Sequence, residues 1–262
     1  MILDDIIART RTDLAERRAQ RPLRAVEAAT RALPPVRSLA AALRKPGRVT
    51  CIAEFKRRSP SAGWIRQHAS PADIATAYVG AGAAALSILT DEPFFGGSLE
   101  DLGAARAAVG VPILRKDFMI DRYQVAETRA AGADAMLIIV SALDDATIAG
   151  LLADAREFGL EVLVEAHDRQ EVERAVSLGA AIVGINNRDL KTFTVDRELA
   201  IRLRPLVPAD RLIVAESGIR DAADLRRVGD AGIDAVLVGE SLMRASDPGA
   251  ALRALLAVQG QR

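Results

Sequence analysis

A single cysteine in 262 residues has nothing to pair with inside the chain, so no intrachain disulfide supports the fold and a reducing compartment is the natural setting. Cys51 lies within the run Val49-Thr50-Cys51-Ile52-Ala53 and reads as a small core residue. Histidine is almost as scarce: His68 and His167 have no Cys or His partner at ligand spacing, which argues against a zinc site, and no metal is expected. Aromatics make up 3% of the chain, a compositional bias of little functional weight beside its abundance of Ala and Arg. Net charge is missing too, with Lys+Arg 35 against Asp+Glu 35, so nothing electrostatic favours nucleic acid or an anionic membrane as partner. The longest apolar run, around Ala135 to Val140, is far too short to cross a bilayer. The start, Met1-Ile2-Leu3-Asp4-Asp5-Ile6-Ile7, carries early acids and a short apolar face at helical spacing where a secretory signal needs a basic start and a longer apolar stretch. A cytoplasmic protein is the simplest expectation.

What the chain does have is alternation. Half of it is hydrophobic, enough for a large core. Residues 1–47 read as helix, a break at Pro34-Pro35, and a short helix ending at Lys45-Pro46-Gly47. Short apolar runs then alternate with helix-length amphipathic segments, giving strand candidates at 50–55, 84–89, 111–115, 135–140, 161–165, 181–186, 211–216 and 235–239. Ser70-Pro71-Ala72-Asp73 supplies an N-cap, a first-turn proline and an acid at the positive end of a helix, and Asp168 and Asp221 offer similar starts. Gly82-Ala83-Ala84-Ala85, Gly132-Ala133-Asp134-Ala135, Gly179-Ala180-Ala181 and Gly232-Ile233-Asp234-Ala235 recur before alternate strands, each glycine ending a helix in the left-handed conformation. Strand–helix alternation means right-handed crossovers and a parallel sheet. Four βαβα units closing on themselves predict an α/β protein, a (βα)8 TIM barrel with an N-terminal helical extension: one domain over 1–262, with 1–47 packed on a barrel of 48–262. An open doubly wound sheet is the structural rival.

The strong charges fall at the ends of these strands. Glu54 and Lys56 follow the first, Lys116 the third, Glu165 the fifth, Asn186 and Arg188 the sixth and Glu216 the seventh. In such a barrel the active site lies at the C-terminal strand ends. Alternation along a strand puts Glu54 with Lys56, and Asn186 with Arg188, on shared faces. Three acids and three bases around one mouth form a neutral set, each pair interacting by roughly 4 kcal/mol at 4 Å before desolvation. A ring of ion pairs that merely tethers loops is the alternative. Ser217-Gly218-Ile219 after strand seven and Gly239-Glu240-Ser241 after strand eight have the form of a phosphate grip, with two ordinary turns as the alternative. Glu240 would repel the anion there unless it points away, and Ser59 could add a hydroxyl from the first loop. Gly80-Ala81-Gly82 mimics a dinucleotide fingerprint but precedes its strand. Ser217 has no evident His base and reads as an anion ligand, not a nucleophile. His167 near Glu165 reads as a helix-capping or solvent residue, and Phe94-Phe95 suit either an apolar part of a substrate or packing beneath their loop.

Glu54-Phe55-Lys56-Arg57-Arg58-Ser59-Pro60-Ser61, Phe95-Gly96-Gly97-Ser98, Pro112-Ile113-Leu114-Arg115-Lys116-Asp117-Phe118, Leu163-Val164-Glu165, Gly184-Ile185-Asn186-Asn187-Arg188-Asp189-Leu190, Ala215-Glu216-Ser217-Gly218-Ile219 and Val238-Gly239-Glu240-Ser241 together resemble the strand-end signatures of indole-3-glycerol phosphate synthase. The resemblance implies ring closure, decarboxylation and dehydration of 1-(2-carboxyphenylamino)-1-deoxyribulose 5-phosphate in tryptophan biosynthesis, with no metal or organic cofactor. It implies Lys116 as general acid toward the ribulose carbonyl, Glu165 as general acid or base, and Lys56 with Glu54 at the substrate carboxylate and the final dehydration. Asn186, Arg188, Glu216 and Ser217 would hold the ribulose hydroxyls and orient the lysines. Phe95, Phe118 and Leu190 would pack the anthranilate ring, and Ser59, Gly218, Gly239, Glu240 and Ser241 would meet the phosphate, Glu240 through its backbone. The expected partner is a small phosphorylated molecule, bound by a monomer or by a chain weakly associated with other enzymes of the pathway. A Schiff-base aldolase working through Lys116, or a phosphosugar-binding barrel without chemistry, are the other functional readings.

Overall fold

The computed structural model describes residues 2–190 and 192–257. Its centre is a closed barrel of eight parallel strands: β1 (Thr50–Phe55), β2 (Ala85–Leu89), β3 (Ile113–Lys116), β4 (Ala135–Ile139), β5 (Glu161–Ala166), β6 (Ile182–Asn186), β7 (Leu212–Glu216) and β8 (Ala235–Val238). Each strand pairs with the next in sequence, and β8 closes on β1. The barrel predicted from the alternation is therefore present and the open sheet is not. β3 starts at Ile113 and not at 111, because Pro112 has no N–H for the ladder and contributes only its carbonyl, to Leu86.

Local chemistry places the helices as expected. Ser70 accepts from the Asp73 N–H to open helix Pro71–Gly80, Asp168 from Glu171 to open Arg169–Ser177, and Asp221 from Ala223 and Asp224 to open Ala222–Asp230. The recurring glycines at 82, 132, 179 and 232 all have positive φ. Period-2 alternation then divides the buried residues into two clusters on opposite sides of one sheet. Ile52, Leu114, Leu137, Leu163, Ile182, Val214 and Leu237 fill the interior. Cys51, Ala53, Ile88, Ile113, Ile138, Val164, Val183, Ile213 and Val236 face the helices. Cys51 is thus a core residue, with burial pushing its thiol up to about 12.

The N-terminal segment contains one break more than expected. It forms α1 (Ile2–Gln20), α2 (Leu23–Thr30) and α3 (Leu39–Leu43), because Pro22, lacking an N–H, ends one helix and caps the next. α3 closes the floor of the barrel. Leu39 and Leu43 are fully buried with the interior cluster, each contributing about 1.5–3 kcal/mol. Around them the floor is held by acids: Glu161 accepts from Ser38 Oγ and the Ala40 N–H, both at 2.7 Å. Asp134 accepts from the Ile113 N–H (2.9 Å), Arg106 (2.8 Å) and the Arg37 N–H (2.7 Å), and Asp234 from the Ile213 N–H (2.8 Å). α1 runs up the outside, where its Arg17 meets Glu127 at 3.1 Å, and its first turn reaches the opposite end.

Candidate active site

At the C-terminal end of the strands a cavity of about 400 Å³ is lined by Glu54, Lys56, Lys116, Glu165, Asn186, Arg188 and Glu216. Glu54, Lys116, Glu165 and Glu216 come from β1, β3, β5 and β7, the alternate strands that supply one layer of a barrel interior. The top layer is therefore one ammonium among three carboxylates. Lys116 Nζ lies 3.2 Å from Glu165 and 3.9 Å from Glu216, while Lys56 Nζ binds Glu54 at 2.9 Å. Asn186 donates to Glu165 Oε1 at 3.0 Å and accepts the Arg188 N–H at 3.1 Å. Space for the carboxylates comes from missing side chains. A Cβ on Gly184 would sit 2.3 Å from Glu216 Oε1, and one on Gly239 would sit 2.4 Å from Glu54 Oε1.

The layer separates its protons. Burial opposes charge on Lys116, but Glu165, Glu216 and Glu54 overcome it and hold the ammonium above its ordinary pKa. Burial also opposes charge on Glu165, and there Lys116, His167 and the Asn186 amide win, so its carboxyl is held well below the usual range. Glu216 goes the other way: burial, then the Glu165 charge, push it well above. Two neighbouring carboxyls are thus pushed in opposite directions, Glu165 toward the ionised and Glu216 toward the protonated form, the pattern that separates acid and base roles. Glu165 Oε2 and Glu216 Oε1 are buried without an aligned hydrogen bond.

Phe95 and Phe118 face the cavity with ring centroids 6.1 Å apart, beside Leu190. Ser59, Ser217, Gly218, Gly239, Glu240 and Ser241 line the far end. There Ser217 and Gly218 take successive left-handed conformations (φ 62° and 81°), turning the loop after β7 over the cavity. Arg188 is not part of the charged layer, contrary to the six-member ring expected. It pairs instead with Glu240 at 3.6 Å, and Glu240 also accepts from Arg244 at 3.1 Å, so the awkward carboxylate is neutralised by two arginines. His167 is neither a cap nor a solvated residue: its ring is largely buried beside Glu165. Three groups of lining residues escaped the sequence reading. Ile2, Leu3 and Ile6 bring the first turn of α1 to the rim, Arg197 comes from the loop after β6, and Arg220 and Arg244 stand beside the two glycine turns. The apolar spacing of Ile2, Leu3 and Ile6 is visible in the sequence, but spacing along one helix does not say which part of the barrel that helix meets.

The family model of indole-3-glycerol phosphate synthase matches residues 3–255. The chain belongs to this family. It is 50% identical over 255 residues to indole-3-glycerol phosphate synthase 2 of Streptomyces coelicolor, covering 97% of this chain and 98% of that protein. It is also 50% identical over 258 residues to the indole-3-glycerol phosphate synthase of a Nocardioides species, covering 98% and 99%. Among solved structures, thiamine phosphate pyrophosphorylase from Pyrococcus furiosus superposes with a TM-score of 0.61 at 15% identity, over 81% of this chain and 96% of that one, a likeness of fold alone. The synthase family places the charged layer in an enzyme. Among the described residues no cluster of His, Cys, Asp and Glu could hold a metal ion, and no helix is long and apolar enough to cross a membrane.

Proposed function

We propose that the mouth performs the synthase reaction, converting 1-(2-carboxyphenylamino)-1-deoxyribulose 5-phosphate to indole-3-glycerol phosphate, CO2 and water, with the following division of labour. The observation that carries it is the layer of one lysine among three carboxylates, opening onto a cavity whose far end is built of glycine turns and arginines. The phosphate sits against Ser59 and the turns at Gly218, Gly239 and Ser241, and the anthranilate ring between Phe95, Phe118 and Leu190. Lys56, steadied by Glu54, meets the substrate carboxylate. Asn186, Arg188, Ser217 and Glu216 meet the ribulose hydroxyls.

Ring closure needs a proton on the ribulose carbonyl oxygen as the aryl carbon attacks, and Lys116 is kept protonated for that purpose. The cationic iminium-like intermediate is stabilised by the carboxylates beneath it, and CO2 departs leaving its bonding pair in the ring system. In the dehydration the hydroxyl leaves as water with a proton from Lys56, and Glu165, held ionised, is suited to take the proton that the adjacent ring carbon gives up as the new ring becomes aromatic. A lysine maintained as ammonium is a poor nucleophile, which counts against the Schiff-base reading. Indole fluorescence with purified protein and the anilino-ribulose phosphate tests the proposal: formation of the indole is expected, and no turnover would overturn it.

A further inference from the structure

His167 is a largely buried titratable group beside Glu165 that this chemistry leaves unused. Two residues beyond Glu165 in extended chain, it emerges on the same side of β5, yet it does not line the cavity. Its Nε2 lies 3.1 Å from Glu165 Oε1, off the axis of an aligned hydrogen bond and with no other partner. Its Nδ1 lies 3.1 Å from Glu171 Oε2, which also accepts the His167 backbone N–H at 2.8 Å. Glu171 is anchored in turn at the first turn of its helix, where its own N–H is capped by Asp168 at 2.8 Å. The Glu165 carboxylate therefore has a cation on each side, Lys116 at Oε2 and His167 at Oε1.

We propose that His167, held by Glu171, is a positioning residue that orients the Glu165 carboxylate and keeps it ionised without touching the substrate. The proposal rests on Glu165 carrying a proton transfer, and its force comes from what happens to Lys116. When Lys116 gives its proton to the carbonyl it ceases to be a cation, and Glu165 loses the neighbour that favours its charge. Burial, the first influence on Glu165, then favours its protonation in the layer it shares with Glu216 and Glu54, and apart from His167 only the Asn186 amide opposes it. His167 supplies a positive charge that the step does not consume. Burial alone would depress the imidazolium, but Glu165 and Glu171 raise it to about 10, so it persists at neutral pH.

The test is H167Q, assayed by indole fluorescence across pH beside wild type, E171Q and E165Q. In H167Q, kcat is expected to fall while KM stays within about two-fold, and the acid limb of kcat to move up by roughly one unit as Glu165 becomes easier to protonate. E171Q should shift the limb in the same direction by less. An acid limb that stays in place in H167Q overturns the proposal even if kcat falls, because a merely structural role would lower activity without moving it. Should H167Q not fold, the ring nitrogen resonances of His167 decide instead. They are expected to remain those of an imidazolium beyond pH 8 in wild type and to titrate lower in E165Q; an unchanged titration overturns the pairing. E165Q separates the two proposals: turnover retained there removes Glu165 from the reaction, whereas turnover lost with an unmoved His167 titration overturns the pairing alone.

Discussion

Asp134 and Asp234 at the floor of the barrel each bind a backbone N–H at the start of a strand, Ile113 in β3 and Ile213 in β7, while Glu165 and Glu216 at the mouth each keep a buried oxygen with no aligned donor. The carboxyl group is the same and the environment is opposite. Floor acids are surrounded by donors that fix strands to one another and to the N-terminal segment, so their charge is spent on architecture. Mouth acids are crowded together, share one lysine, and leave hydrogen-bonding capacity open toward a cavity. The contrast teaches that in this barrel an incompletely matched charge marks chemistry, and a fully matched one marks structure.

The contrast can be broken most severely at Lys116. K116A is expected to cut turnover at least ~100-fold while inorganic phosphate still competes for the cavity, measured by indole fluorescence and calorimetry; near wild-type turnover would remove it from the general-acid role. At the floor the expected loss is of the other kind. D134A should lower unfolding free energy by about 3 kcal/mol, read from urea midpoints, with kcat of the folded fraction unchanged. A change in kcat there would end the division of labour between the two ends.

E216Q sharpens the comparison from the stability side. Glu216 has a folded-state pKa raised above its unfolded value, so in wild type it favours folding less as pH rises from about its unfolded pKa toward its folded one. The amide has no such penalty. Its Tm should exceed that of wild type at pH 8 and match it near pH 4, although its turnover falls; equal Tm at both pH values would mean that Glu216 is ionised at no cost. A second pH effect concerns His167. A group raised from 6.5 to about 10 on folding stabilises fully below pH 6.5 and loses that contribution as pH rises through 10. Wild type should therefore lose more stability than H167Q between pH 6.5 and pH 10, and parallel curves would contradict it.

Much of this was legible from sequence. Strand periodicity, capping residues and the glycine repeat led to the barrel, and Asp134 and Asp234 already stood at equivalent places in that repeat. The candidate residues meet at the mouth because position at a strand end, with alternation, dictates direction in a closed sheet. What stayed hidden depended on distance between elements. Nothing local says that Arg188 turns to Glu240 instead of the charged layer, that the first turn of α1 reaches the rim, or that Pro22 and not only Pro34-Pro35 divides the N-terminal helices. The balance on Lys116 was also open, since burial and carboxylates act in opposite directions and only their separations decide. His167 was misread because its neighbour in sequence, Asp168, takes the capping role that had been considered for it.

Gly184 and Gly239 carry the charged layer's history as well as its geometry. Each is an ordinary position of the β6 strand and of the turn after β8, where a larger apolar residue would add contacts. While Glu216 and Glu54 remain, such gains are barred, since a single methyl group would meet a carboxylate oxygen inside bonding distance of any tolerable packing. Should a lineage lose the reaction and shorten Glu216, Gly184 is released in the same event, whereas Gly239 stays barred by the Glu54 Cβ, 2.9 Å from where its own would sit. Substitutions at 216 and 184 are therefore expected to appear together, and a relative with alanine at 184 should be inspected for a missing carboxylate next door.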